Sequence, residues 1–219
     1  MENGLYALLP LLGALALIKR VRDYWANNTT ETKIEEPRPP SFPLPDQIHA
    51  MFRDDAQHQA CVWDELTRLH RNRNWRFGVF ESENYVESIF HISENTDEFY
   101  RYLLYDQQLH FDVRVLHSFP QEITTDLFVL AAHFNNLLTF GKVIVDVNRN
   151  NVVFNFHNEL KLYSVFPEKI EPDLSHHYQI SKDVYWAFQK FVSEREEPVI
   201  IISELLNMHK MRRENTEQN

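Results

Sequence analysis

An α+β fold, with one antiparallel sheet packed against three or so helices, is what the sequence predicts for the bulk of this chain. Three observations predict it. Strand-length, alternating runs follow one another between Trp75 and Leu116 with turn-prone separators, the pattern of an antiparallel meander. Apolar residues at helical spacing bracket that block on both sides. Aromatic content is high, with 16 Phe, 9 Tyr and 4 Trp, and aromatic side chains suit a pleated, half-buried surface. With the first 45 of 219 residues set aside, roughly 170 remain, enough for about one domain.

In chain order, the first element is apolar. Gly4 to Ile18 (GLYALLPLLGALALI) carries no charge. As a helix it would span roughly 22 Å, short of the ~30 Å hydrocarbon core. Lys19, Arg20 and Arg22 can snorkel, and Tyr24 and Trp25 suit the headgroup layer, which lengthens the effective span. Residues 1–25 are therefore expected to form a single transmembrane helix with a basic juxtamembrane cluster. Positive charge stays on the cytoplasmic side, so the expected placement is single-pass in the inner or plasma membrane, N-terminus out and the rest cytoplasmic. The alternative is a cleaved signal peptide, with Ala14-Leu15-Ala16 as its cleavage site and a secreted or periplasmic domain after it. Signal peptides carry positive charge ahead of the apolar run, whereas here Glu2 precedes it. The lone cysteine, Cys61, allows no intrachain disulfide and suits a reducing compartment.

Residues 26–45 are polar and then proline-rich (EEPRPPSFPLP), the composition of a stiff, extended spacer. The folded domain is expected over 46–210. A helix starts at Asp46 as N-cap and runs to about His70, with Ile48, Phe52, Ala56, Val62, Trp63, Leu66 and Leu69 toward one face and Cys61 as a small core filler. Its end gathers Arg68, Arg71, Arg73 and Arg76. These cations complement the helix macrodipole or contact an acidic partner. Strands follow at 75–80, 85–92, 99–105 and 109–116. In the last, Leu109, Phe111, Val113 and Val115 share one face, and His110, Asp112 and Arg114 the other.

After Pro120 a helix buries Ile123, Leu127, Leu130, Ala131, Phe134 and Leu138. A Gly-containing corner (TFGK) leads into a hairpin in which Val143 and Val145 face opposite Ile144 and Asp146. The segment LKLYSV (160–165) is expected as another strand. Ser181 is expected to cap a helix through Val184, Phe188, Phe191 and Val192, stopped by Pro198. VIIISELLNM fits a strand in its first half and a helix in its second, and residues 211–219 are expected to fray. A weak internal echo places Phe-Gly before a hairpin twice, 63 residues apart, at Gly78 and Gly141.

Several function classes are disfavoured. The chain has four glycines, at 4, 13, 78 and 141, so it cannot build the clustered-glycine loops of phosphate cradles, dinucleotide fingerprints or nucleophile elbows. A net charge of −10 disfavours general nucleic-acid binding, which needs a cationic footprint. Eleven histidines invite a metal hypothesis, but no H-x-x-x-H spacing and no cysteine pair supports one. A hydrolase or metal-dependent enzyme would need scattered residues such as His110, His117, His133 and His157 to converge with carboxylates. No catalytic residue and no cofactor is assigned.

The run AAHFNNLLTFGKVIVDVNRNNVVFNF, with Asn135 at the helix end, Gly141 followed by Lys142, and Asp146 before a polar turn, resembles the middle of YbjN-type domains. Those domains share the type III secretion chaperone-like fold. The resemblance implies a helix, a three-strand meander, a second helix, further strands and a final helix over about 46–210. It also implies a non-catalytic protein-binding or regulatory module and a homodimer. It carries over no active-site residue, and assigns Asn135, Gly141 and Asp146 structural roles.

Overall fold

The buried side chains of the strands fall mainly on one face of a single sheet, and the helices lie on that face. The structure is a computed structural model and describes residues 45–217. The elements are α1 (Pro45–Met51), α2 (Asp55–Asn72), β1 (Phe77–Phe80), β2 (Tyr85–Ser93), β3 (Thr96–Tyr105), β4 (Gln108–Leu116), α3 (Thr124–Leu137), β5 (Lys142–Asp146), β6 (Asn151–Glu159), α4 (Leu160–Val165), α5 (Ile170–Glu194) and α6 (Pro198–Glu217). The six strands pair antiparallel in the order β1-β2-β3-β4-β6-β5. The apolar N-terminal run, its flank Lys19, Arg20, Arg22, Tyr24 and Trp25, and the spacer before Pro45 lie outside the described residues. Among the described residues no helix is long and apolar enough to cross a membrane.

Period-two alternation sorts the strands. Val86, Tyr102, Phe111 and Phe156 form one cross-strand row on the covered face, and Ser88, Tyr100, Val113, Phe154 and Val143 form the next. Tyr102 meets His70 of α2, Phe111 meets Tyr163 of α4, and Tyr100 meets His177 and Tyr178 of α5. Phe134 of α3 packs on Phe188 of α5, and α6 packs against α3 and α5. The opposite face has polar rows: Glu87, Arg101, Asp112, Asn155 and Lys142 stand side by side in register. Arg101 pairs with Glu87 at 3.0 Å, and Asn155 donates to Asp112 at 2.5 Å. An antiparallel sheet tolerates this division because one face can be solvated while the other carries the core.

Six expectations are corrected. The helix expected from Asp46 to His70 is two helices, because Asp54 takes over as N-cap. Its carboxylate accepts from the Gln57 N–H at 2.8 Å and the Gln57 side chain accepts from the Asp54 N–H at 3.0 Å, a reciprocal box that starts a new helix. Phe52, in the break, is 84% exposed. LKLYSV is helix α4, not a strand, since burial of Leu160, Tyr163 and Ser164 follows helical spacing. Ser181 caps nothing. It is buried inside α5, which starts eleven residues earlier with Pro172 in its first turn, where the missing N–H costs no helical bond. Residues 211–217, expected to fray, continue α6, and VIIISELLNM is helical throughout behind Pro198 in the first turn. In α3 the buried stripe ends on Leu137, and Leu138 leaves the helix at ψ 130°.

The β5 edge is closed by the helix before it. Asn135 donates to the Val143 carbonyl at 2.9 Å and accepts the Val143 N–H at 2.7 Å, acting as a one-residue substitute strand. Gly141 then turns the chain at φ +75°, and a Cβ there would lie 2.8 Å from both the Asn155 carbonyl oxygen and the Phe154 ring. Asp146 accepts the Arg149 N–H at 3.0 Å and fixes the β5–β6 turn. Changing Gly141→Val should therefore lower unfolding free energy by about 2–4 kcal/mol, from left-handed strain plus overpacking. Urea unfolding checks this, and an unchanged midpoint would contradict it.

Buried imidazoles set an acid limit. His177 is fully buried, stacks on Phe154 and faces the Phe154 carbonyl at 3.4 Å; burial holds its pKa down to about 3, against an ordinary 6.5. Burial likewise lowers His70, with its bond to the Leu66 carbonyl opposing. As pH falls below about 6.5 the unfolded chain binds protons that the folded chain refuses. Each such group then removes up to about 1.4 kcal/mol per pH unit. Asp173 acts the opposite way at lower pH, since burial raises its carboxyl while the Tyr163 hydroxyl, donating at 2.6 Å, opposes. His177→Phe should flatten the loss of stability between pH 6.5 and 4.5, measured by urea unfolding at each pH; an unaltered slope would remove His177 from this role.

Candidate peptide-binding groove

Helix α5 buries Leu174, His177, Ile180, Ser181, Val184, Ala187, Phe188 and Phe191. The next ridge of the helix carries Tyr178, Lys182, Trp186 and Lys190, spaced by four residues, so each side chain lies one turn above the last. Aromatic and cation alternate along it. The Lys182 ammonium is 5.3 Å from the Tyr178 ring centre, and the Lys190 ammonium is 5.7 Å from that of Trp186. All four side chains are half-buried.

That ridge floors a groove of about 1340 Å³. One wall is the β2–β3 turn, from His91 to Glu94, and the other is Met208 and His209 of α6. The walls are pinned to the floor by hydrogen bonds. The Tyr178 hydroxyl donates to the His91 carbonyl at 2.7 Å, Tyr185 reaches Thr96 at 3.4 Å, and His209 pairs with Asp183 at 2.9 Å. His91 itself pairs with Asp97.

The two lysines differ. Lys190 meets Glu204 at 2.6 Å and Glu194 and Glu196 at 3.3 Å each, and the bond to Glu204 leads the raising of its pKa. Lys182 has no carboxylate partner among the described residues. On the wall, exposed Glu94 likewise has no cationic partner among them. At the near end His176 stacks on Phe140; burial lowers its pKa, with Asp173 opposing. The groove thus carries two half-buried rings, a cation with no carboxylate partner and an anion with no cationic partner among the described residues. In general, rings accept apolar or proline side chains and fixed charges set register in grooves of this chemistry.

The residues singled out from sequence lie elsewhere. Arg68 is bound to Glu65 through two nitrogens, Arg73 pairs with Glu171, and Arg76 meets Asp97 at 3.3 Å. Arg71 is exposed without a carboxylate partner among the described residues. Three of the four arginines are thus each held by a different carboxylate. His110 and His157 do meet, as cross-strand neighbours on the open sheet face with rings 5.2 Å apart. His117 pairs with the buried Glu98 at 2.8 Å and belongs to a different region. Among the described residues no three His, Cys, Asp or Glu side chains are placed to hold a metal ion. Cys61 is half-buried, with the Arg53 guanidinium 3.3 Å from its sulfur.

No protein-family model and no curated protein matches the chain. Among solved structures, YbjN from E. coli is similar, at 14% identity over 52% of this chain and 87% of that chain, with a TM-score of 0.35. A likeness of that size bears on neither function nor partner.

Lys190 neutralises three carboxylates where α5 turns into α6. Lys190→Met should lower the melting temperature by several degrees, with partial recovery in high salt as the remaining carboxylates are screened. A salt-independent melting temperature equal to the parent would contradict the clamp.

Proposed function

We propose that this chain is a non-enzymatic, membrane-tethered module that binds a protein partner by holding an extended segment of it in the α5 groove. Proline or aromatic side chains of the partner lie on Tyr178 and Trp186, and a carboxylate meets Lys182. The alternating aromatic–lysine ridge carries the reading, because it joins half-buried rings to a cation, Lys182, that has no carboxylate partner among the described residues. Tethering rests on the uncharged run Gly4–Ile18, the basic and aromatic flank behind it, and the proline-rich spacer, which together hold the domain at the cytoplasmic side of the membrane. The resemblance of residues 131–156 to YbjN-type domains implies the same non-catalytic class.

An array of ten-residue peptides that vary proline and glutamate content tests the groove. The double variant Lys182→Glu with Trp186→Ala should bind the best peptides at least about tenfold more weakly, a loss of about 1.4 kcal/mol, while its circular dichroism melt keeps one cooperative transition above the assay temperature. Equal binding by parent and variant would sink the reading. Alkaline carbonate extraction of membranes tests the tether. Retention of the full chain in the pellet is expected, and release into the supernatant would contradict it.

A further inference from the structure

The sheet face turned away from the helices carries more than its polar row of Glu87, Arg101, Asp112 and Asn155. One two-residue step along the strands lies a second row, Phe80, Tyr85, Leu103, His110 and His157, in register across five strands. A step the other way, Ile89 pairs with Phe99, and Val153 stands between Arg114 and Ile144. Phe80, Phe99 and Ile144 are exposed. A face of rings and aliphatic side chains on this scale marks an interaction surface. We propose that it is the interface of a two-fold homodimer, whose axis lies between the two sheets, parallel to the strands and over the β3–β4 boundary.

The order of the charges selects this axis. Rotation about it sets β3 of one copy over β4 of the other, so Arg101 faces Asp112 at two symmetric contacts. Within one copy Arg101 pairs with Glu87 at 3.0 Å, while Asp112 accepts from Asn155 and has no cationic partner among the described residues. The same rotation lays the Arg114 guanidinium against the Phe99 ring, a cation–ring contact, and Leu103 against His110. An axis over β3 would set Arg101 on Arg101, and one over β4 would set Asp112 on Asp112. An axis along the polar row would do both, and like charges face to face oppose association. The β3–β4 boundary is also the midline of the six strands, so both sheets overlap completely. Five strand spacings of ~4.8 Å and three two-residue steps of ~6.8 Å, from Phe99 to Tyr105, give a flat footprint of roughly 480 Å² per copy. Two copies together reach about 1,000 Å² before surface relief is counted, the size at which specific interfaces begin. The three rows set two carboxylates against three cations, so this face is nearly neutral on a chain of net charge −10. Sheets packed in this way cross at about 30°, so the register holds best beside the axis, at Phe99, Arg101 and Leu103. The α5 grooves lie on the far side of each sheet and stay open at opposite ends of the dimer.

Charge exchange in the full chain tests the proposal, read by sedimentation equilibrium in density-matched detergent. The parent should be a dimer. Arg101→Asp and Asp112→Arg should each raise its dissociation constant at least about tenfold, because each places two like-charge contacts beside the axis. An equimolar mixture of the two variants should regain the parent's affinity, since a carboxylate then faces a guanidinium at both contacts. A monomeric parent, single variants that pair as the parent does, or a mixture no tighter than its components would overturn the interface. Dimerisation through another part of the chain gives the second of these results. A photo-crosslinker placed by Phe99→p-benzoylphenylalanine reads the same surface with every charge in place. Irradiation should join position 99 to β4 of a second chain, near Arg114. No crosslink, crosslinks confined to one chain, or crosslinks to a second chain outside its open sheet face would equally overturn the proposal.

Discussion

The seating of α5 on the sheet is the constraint on which the rest of the structure depends. Tyr100 projects from β3 and donates to the Ser181 hydroxyl at 2.7 Å, and Ser181 in turn donates to the Tyr178 carbonyl at 2.7 Å. One turn back, His177 lies flat on Phe154 at 5.0 Å. Two buried polar residues on one helix face, each matched to a particular ring on β3 or β6, allow little rotation about the helix axis. A slip of one position would strand a hydroxyl and an imidazole in the core, which costs more than the bonds themselves contribute. With that face committed, the neighbouring ridge of Tyr178, Lys182, Trp186 and Lys190 has to stand along the groove. The groove is thus a consequence of core packing, not a separate feature laid on the fold.

A sheet covered on one face leaves two edges to protect, and the chain treats them alike in sequence and differently in structure. Phe77-Gly78 enters β1 and Phe140-Gly141 enters β5, the two edge strands. The echo in the sequence therefore marks edge positions. Only Gly141 adopts the left-handed region, and only its strand receives a helix side chain, Asn135, as a substitute partner. β1 is four residues long, and a short edge offers little ladder for unwanted pairing.

Much of this architecture was legible in the residues. The meander, the helix from Thr124, the glycine corner and the β5–β6 hairpin declare themselves by clean alternation and turn chemistry, which local propensity and packing both favour. What was not legible follows one pattern: tertiary partners override local signals. LKLYSV reads as a strand by alternation, yet Tyr163 is drawn into the core against Phe111 and bonds to Asp173 across α4 and α5. Pro172 hid the start of α5, and with it the groove. The four-residue spacing of Tyr178, Lys182, Trp186 and Lys190 was present in the sequence, but it acquires meaning only on a helix that begins before Ser181. The arginine cluster shows the converse. Its partners Glu171 and Asp97 lie far away in sequence and could not be read from it.

The account stands or falls on α5 being held by Tyr100 and Ser181. A double-mutant cycle with Tyr100→Phe, Ser181→Ala and the pair, read by urea unfolding, measures that coupling directly. The account predicts an interaction energy of about 1 kcal/mol, since removing one hydroxyl already forfeits the bond that the second removal would break. Strictly additive losses would show that the two groups do not hold each other, and would contradict the seating from which the groove follows.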